Sequence, residues 1–416
     1  MKRMLLTVAA VVTLLMLTAC KDREKTQDQG AKDKGKTENV TKEPPEEPPI
    51  KKPDETLNEI VDPVVTTTVY KNGKKCVELT DADNPMMTDF GIIYTKHQFK
   101  GAFTRDEEYH LLVPDTGEDR ILGTVNDLSY ETVYDRVEIN GKVYTLIMKG
   151  ELDDLGTKPL ILLEIDPMKG LTERTVCESG FPYAMLAKAA DCLLIGNHNM
   201  DGSDTDSLWA YRPEDGTSYE VKRYPDAPLR HIYSDGKRAY VLCARMKDGK
   251  TQMVIEQYDS SFSLVAEQDV TAIFEKACAE MGDGEDRDME MRQHVSGFHV
   301  TEDGMLYYEN FSCTHFLADM NTGKILRSGE SFCDVAGKPG ERYFEYMKGF
   351  RTEASVPNTI YILSKTELTT SEFKTDNPDY YITDMSVSQN GTRLTRIEYK
   401  DPENRGEDLA PVWVIE

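Results

Sequence analysis

The chain has 416 residues, 74 of them acidic and 49 basic, for a formal charge of −25. An acid excess of that size repels phosphate backbones and anionic lipid head groups, which argues against nucleic-acid binding and against attachment to a membrane by surface charge. It leaves the fold open.

The chain begins with a short basic head, Met1-Lys2-Arg3, and runs on through apolar residues from Met4 to Ala19, interrupted only by Thr7, Thr13 and Thr18. That length suits a signal-peptide core and is short for a bilayer span, which takes roughly 20 residues. The run ends on Leu17-Thr18-Ala19-Cys20, which resembles the bacterial lipobox. The resemblance implies a signal peptide over 1–19, cleavage before Cys20 and a diacylglyceryl group on the Cys20 thiol. Two acyl chains anchor a protein stably, whereas one is marginal. A secretory signal cut elsewhere and an uncleaved anchor are the alternatives. All of them place the body outside the cytoplasm, and loss of Lys2 and Arg3 would take the charge from −25 to −27.

From Lys21 to about Glu59 the composition is Lys, Asp, Glu, Thr and Gln, with prolines gathered in EPPEEPPIKKP. So little apolar surface cannot offset the entropy of ordering, and the prolines keep the backbone extended. Residues 20–60 are therefore expected to be a lipidated cysteine and a disordered spacer, and 61–416 the folded domain.

Asn-Gly and Asp-Gly pairs punctuate that domain at Asn72, Asn140, Asp215, Asp235, Asp248, Asp303 and Asn390. Such pairs accept the positive φ of tight hairpin turns, and most lie between β-rich runs such as KVYTLIM and RAYVLCAR. This predicts an all-β body of many short strands.

A unit of apolar strand, polar turn and second strand recurs, with turns starting at Asp115, Asp166, Arg212, Asp259, Asp319 and Lys365, in steps of 51, 46, 47, 60 and 46 residues. A period near 45 to 50 residues matches one β-propeller blade. Glu416 falls at the next turn position, so the last unit lacks an outer strand of its own. The β-rich segment 64–80 precedes the first unit and can supply that strand, closing the ring and removing two open sheet edges. The pattern resembles the seven-bladed propellers of the quinoprotein-like and tryptophan-aspartate-repeat superfamily. Their Gly-His and Trp-Asp signatures and quinone-binding residues are missing here, so the resemblance implies a fold without cofactor or partner. The expectation is a β-propeller of seven blades, with six or eight as alternatives.

The 60-residue step locates an insertion. Val270, Ile273, Phe274, Ala277 and Met281 recur at helical spacing, with Asp269 or Thr271 as N-cap and Gly282 as stop. Residues 270–295 are a candidate contact region; the alternative is a helix that caps the side of a blade.

Chemical signals are weak. The acidic clusters 199–206 and 283–288 lack the ligand spacing of a calcium loop and read as solvated turns. Cys313 and His315 share a strand face without a second such pair, His294 and His299 fall on opposite faces, and no metal site is expected. After Cys20, seven cysteines remain, Cys76, Cys177, Cys192, Cys243, Cys278, Cys313 and Cys333; the odd number and irregular spacing speak against a disulfide framework, and Cys192 and Cys243 read as buried free thiols.

Two functions survive. One is a lipid-anchored module that binds or senses a protein, peptide or glycan at the bacterial cell surface, with blade-start aromatics Tyr130, Tyr134, Tyr183, Tyr233 and Phe298 as candidate contacts. The other is an extracytoplasmic hydrolase or lyase with its site at the channel mouth. No local catalytic signature is present, which favours binding, and no catalytic residue is singled out. No cofactor is expected beyond the lipid on Cys20.

Overall fold

The computed structural model describes residues 56–57, 64–65, 69–71, 74–79 and 82–416, apart from 101–103, 130–134, 151–157, 180–181, 200–204, 226–227, 236, 281–294, 302–303, 311–313, 331–332, 339–341, 348–358, 364–367, 373–379 and 400–411. Of the described residues, those within 56–74, 178–183, 198–199, 329–383 and 398–412, together with 280, 296 and 314, are described by backbone alone. Cys20, the signal segment and most of the spacer lie outside the described residues. Among those described, no helix is long and apolar enough to cross a membrane.

The chain is an all-β β-propeller. N-terminal strands β1 (Thr56–Leu57), β2 (Val64–Val65), β3 (Val69–Lys71) and β4 (Lys74–Glu78) precede the blades. The first blade then runs β5 (Asp83–Thr88), β6 (Gly91–Phe99), β7 (Thr104–Val113), β8 (Glu118–Ser129), and the second β9 (Arg136–Ile139), β10 (Lys142–Ile147), β11 (Lys158–Asp166), β12 (Gly170–Ser179). Two more follow as β13 (Pro182–Ala189), β14 (Cys192–Asn199), β15 (Asp206–Arg212), β16 (Thr217–Tyr224), and β17 (Leu229–Ser234), β18 (Ala239–Lys247), β19 (Lys250–Tyr258), β20 (Leu264–Asp269). After helix α1 (Thr271–Glu280) come β21 (Val295–Val300), β22 (Met305–Asn310), β23 (Thr314–Asp319), β24 (Lys324–Glu330) and then β25 (Cys333–Lys338), β26 (Arg342–Met347), β27 (Thr359–Leu363), β28 (Leu368–Glu372). The last sheet is β29 (Tyr380–Val387), β30 (Arg393–Tyr399), β31 (Val412–Ile415), completed by β4 and β3. Every described neighbour pair within these sheets is antiparallel. Side chains are described in six of the sheets, and the β25 sheet is described by its backbone pairing.

The ends of the chain meet as the sequence arithmetic expects. In β4 and β31, Val412 lies opposite Glu78, Trp413 opposite Val77, Val414 opposite Cys76 and Ile415 opposite Lys75. The preceding segment pairs with further rims: β2 adds to β8 and β1 to β12.

The described core lies between blades, where facing sheets pack their side chains together. Ile139, Tyr144, Leu146 and Leu162 pack with Ala184, Leu186, Leu193 and Ile195 of the following blade. Met185, Leu194 and Leu208 likewise meet Leu229, Val241 and Val254. Burial on two faces explains why β11 reads LILLEI as an almost continuous apolar run rather than an alternating one.

Turn chemistry accounts for the repeat. Five of the predicted turn starts fall at the end of the third strand of a sheet or between it and the fourth, and Lys365 lies outside the described residues. The aspartate that opens many of them caps its own turn: Asp166 Oδ1 accepts from the Met168 and Lys169 amides at 2.8 and 3.1 Å, Asp259 Oδ1 from Ser261 and Ser263 at 2.9 and 3.0 Å, and Asp319 Oδ1 from Asn321 at 2.9 Å. Asn140-Gly141 and Asp248-Gly249 take φ of 51° and 74°, and 53° and 76°, the paired positive values of a hairpin turn. Gly91 has φ 145°, and a Cβ there would sit 2.5 Å from the Leu112 carbonyl oxygen. Gly91→Ala is expected to cost about 2–3 kcal/mol, read as a lower denaturant midpoint with an unchanged slope.

Helix α1 forms where its periodicity places it. Asp269 Oδ1 accepts from the Thr271 amide at 3.0 Å, capping the first turn. Val270, Ile273, Phe274 and Ala277 join the core between the β17 and β21 blades, with Phe274 edge-on to Tyr308 and Phe316 at 4.7 and 4.9 Å. The apolar stripe is thus used to cap the side of a blade; the rest of the candidate contact region, 281–294, lies outside the described residues.

Candidate functional site

The first strand of each blade is the innermost, and the turn that follows it comes to one end of the central axis. There the β5–β6 turn presents Asp89, β9 presents Glu138, β13 presents Lys188 and the β29–β30 turn presents Gln389 and Asn390. The Glu138 carboxylate accepts from the Asp89 amide at 3.2 and 3.3 Å, and the Glu138 carbonyl accepts from Gln389 Nε2. Asp89 Oδ1 accepts from the Asn390 amide at 2.8 Å, and Lys188 Nζ donates to Gln389 Oε1 at 3.2 Å. Four blades are joined by these bonds.

Why these side chains converge follows from local structure. The turns are held rigid by their own polar groups: Thr88 Oγ1 donates to the Gly91 carbonyl at 2.7 Å, while Asn390 Oδ1 accepts from the Thr392 amide at 2.9 Å and from Ser388 Oγ at 2.7 Å. Ser386 of β29 accepts from the Met87 amide of β5 at 2.9 Å, fixing the seam between the closing blade and the first.

Electrostatics at this end are unusual. Glu138 is 5% exposed. Its burial, with the neighbouring charge of Asp89, pushes its carboxyl up to about 7, against the opposing pull of the Asp89 N–H and Lys188. Burial also lowers the Lys188 amine, although Asp191, Glu138 and Asp89 favour its charged form. Near the axis, Asp135 precedes β9 and His231 lies on β17. Burial raises Asp135 and lowers His231, each opposed by the field of the other. Asp135 accepts from the Leu186 amide at 3.4 Å, and His231 Nδ1 is bonded to the Ile232 carbonyl at 2.8 Å. A carboxyl that titrates near neutrality beside an amine of lowered pKa can exchange protons with a bound molecule, or hold one by hydrogen bonds.

Among the candidate site residues singled out from sequence, none with a described side chain takes part in these interblade bonds. Tyr233 contacts His299 at 4.6 Å between ring centroids, and Phe298 is buried in the core, so neither forms an exposed aromatic patch. Tyr183 is on β13 with only its backbone described, while Tyr130, Tyr134, Cys313, His294 and the acidic cluster 283–288 are outside the described residues. Within 199–206, Asp206 is buried and accepts from the Leu229 amide at 2.8 Å, a structural role. His315 is buried in β23. Among the described residues, no group of three metal-ligating side chains is assembled. Cys192 and Cys243 are free thiols. Cys243 is pushed up to about 12, by burial first and by Glu256 next, and is inert at neutral pH; Cys192 is half-buried rather than buried.

Sequence reading missed Asp89, Glu138, Lys188 and Gln389. The signal that pointed to them was position: Glu138 is two residues before the Asn140-Gly141 turn and Gln389 one before Asn390-Gly391, both first-to-second-strand turns.

No protein-family model matches the chain, and no curated protein matches it. Among solved structures it is similar to the β-propeller domain of the Trilobed protease from Pyrococcus furiosus, at 12% identity over 63% of this chain and 76% of that one, with a TM-score of 0.38. It is also similar to a structure from a study of two prolyl endopeptidases, at 12% identity over 83% of this chain and 55% of that one, TM-score 0.45. A third is an oligogalacturonate lyase in complex with manganese, at 11% identity over 86% of this chain and 97% of that one, TM-score 0.47. Likenesses at this level go with the sheet topology and assign no activity: the chain is a β-propeller.

Proposed function

We propose that the protein is a bacterial lipoprotein whose propeller binds or senses a ligand at the cell surface, through the end of the axis that carries Asp89, Glu138, Lys188 and Gln389. The signal peptide is 1–19, Cys20 carries the diacylglyceryl group, 20–60 is the spacer and 61–416 holds the propeller, read as seven blades, a reading supported by seven hydrogen-bonded sheets among the described residues. Convergence of polar side chains from four blades carries the ligand-binding reading. Donors and acceptors spaced around an axis suit a protein, peptide or glycan.

A hydrolase or lyase is the second reading, favoured by Glu138 and its near-neutral pKa of about 7 beside Lys188. The two separate in one experiment. Peptide and glycan panels are screened by thermal shift against wild type and Lys188→Ala. A compound that stabilises wild type and recovers unchanged, with its shift reduced by more than half in the variant, supports binding. Conversion of the compound supports the enzyme, and equal shifts in both proteins place the ligand elsewhere.

Lipidation has its own test. Mass spectrometry of the mature N-terminus is expected to show acylated Cys20, and Cys20→Ser to move the protein out of the membrane fraction. An unmodified N-terminus at another residue would contradict it.

A further inference from the structure

We propose that the N-terminal strands are a strap fastened in series round the rim of the propeller, so that a pull from the N-terminal side strips β1 and β2 before it can load β4, the strand that closes the ring. The source of such a pull rests on the lipid-anchor reading; the order of release does not.

Three sheets carry an added outer strand from this segment. Thr56 and Leu57 of β1 lie opposite Glu173 and Thr172 of β12, and Val64 and Val65 of β2 lie opposite Asp119 and Glu118 of β8. β3 then runs beside β4, from Val69 opposite Cys76 to Lys71 opposite Lys74. The chain thus passes from the rim of the second blade to that of the first, and then into the closing sheet. Among the described residues, the sheets that begin with β13, β17, β21 and β25 end at their fourth strand. Tension along a chain is carried by the first point at which it is fastened, and the points beyond are unloaded until that one gives way. β1 therefore bears a pull first, β2 second and the closing sheet last.

The fastenings are graded to match. β1 and β2 each hold by two paired residues at an outer edge, where a pull from one end opens the bonds one at a time and each bond contributes little net. β4 holds β31 by four paired residues, and its Val77 is buried with Trp413, Met87 and Ile92.

The receiving edges are braced from inside their own blades. Both carboxylate oxygens of Glu173 accept from Lys149 Nζ at 2.6 Å. Asp119 accepts from the Tyr94 hydroxyl at 2.7 Å and lies 3.4 Å from His110 Nδ1. When a strap strand leaves, β12 and β8 keep their places, so release is a local opening and the strand can return.

Force spectroscopy reads the order. The full chain is stretched between a handle at position 50, ahead of the strap, and one at position 248 in the exposed β18–β19 turn. Wild type is expected to give small steps at low force before the large opening of the ring, the first of them up to about 25 Å long as residues 58–64 come free. Successive N–H groups of a strand alternate in direction, so Val64→Pro with Val65→Pro removes whichever donor faces β8. This double variant is expected to lose one small step and to keep the force of the large opening. Leu57→Cys with Thr172→Cys replaces direct partners and is expected to close a disulfide that carries the pull into the second blade, so that the ring-opening event vanishes until the bond is reduced. A wild type that opens in a single event, a lower force for the large opening in the double-proline variant, or thiols at 57 and 172 that stay free would overturn the proposal. Ordered steps in a protein whose Cys20 proves unmodified would support the strap and remove the lipid as the source of the pull.

Discussion

Replacing Glu256 by alanine is expected to destabilise the protein by about 3–5 kcal/mol, the cost of leaving half-buried Lys222 and the buried Tyr224 and Tyr258 hydroxyls without their acceptor. Glu256 is fully buried on β19. Its Oε1 accepts from Lys222 Nζ at 2.6 Å and from Arg245 Nη2 at 2.5 Å, and its Oε2 from the hydroxyls of Tyr224 and Tyr258 at 2.9 and 2.7 Å. Lys222 and Tyr224 belong to the β13 blade, so one carboxylate ties two blades together. Burial alone would raise its pKa, yet the bonds from Lys222, Tyr258 and Tyr224 bring it below the usual carboxylate value. A carboxyl depressed in the fold contributes stability above its unfolded pKa and loses it as pH falls, so the network weakens in acid. Urea unfolding at pH 7 and pH 4 checks both parts: the deficit of the Ala variant against wild type should be smaller at the lower pH, by up to about 1 kcal/mol. A loss under about 1 kcal/mol at pH 7 would mean that water replaces the carboxylate at this site.

Trp413→Ala is expected to cost about 3–5 kcal/mol and to loosen both ends of the chain together. Trp413 is 1% exposed and packs with Val77 and Leu79 from one terminus, Leu394 from the other, and Met87, Ile92, Tyr94 and Leu112 of the first blade. Arg396 lies over its ring at 5.6 Å. Loss of the indole opens a cavity on the strand that pairs with β4, so the two termini should fray as one unit. Limited proteolysis followed by mass spectrometry is expected to cut near residue 80 and near residue 410 at matched rates. Faster cutting at one end alone would mean that the closing sheet is not a single cooperative unit.

What the sequence revealed and what it hid divides along the range of the interactions. The turn at Asp319 is legible because its signal is contained in ADMNTGK: a carboxylate that reaches its own following amides, and a glycine that ends the turn. Helix α1 is legible for the same reason, with its cap at Asp269 and its stripe at Val270, Ile273, Phe274 and Ala277. Even closure was readable, since a final unit short of one strand requires a donor, and β-rich 64–80 stood unassigned. The axial cluster was not legible. Asp89 meets Asn390 across 301 residues of sequence and Glu138 across 49, and no local pattern marks an aspartate or a glutamate as one that will be buried at a shared end of the axis. Phe298 could not be placed from sequence, because a phenylalanine at a blade start has the same composition whether it faces the mouth or, as here, the neighbouring blade.

Closure of the ring by β4 on β31 underlies the axial cluster, since it brings the β29–β30 turn to the first blade. Cys76 and Val414 are direct partners across these strands and both are buried, 2% and 4% exposed. Directly opposed residues of an antiparallel pair lie about 4.5–5.5 Å apart at Cα, within the reach of a disulfide. Val414→Cys in the full chain, mildly oxidised and digested, should yield a peptide joining residue 76 to residue 414, with a higher melting temperature than the reduced form. Absence of that linked peptide, with both thiols still free, would contradict a closed propeller.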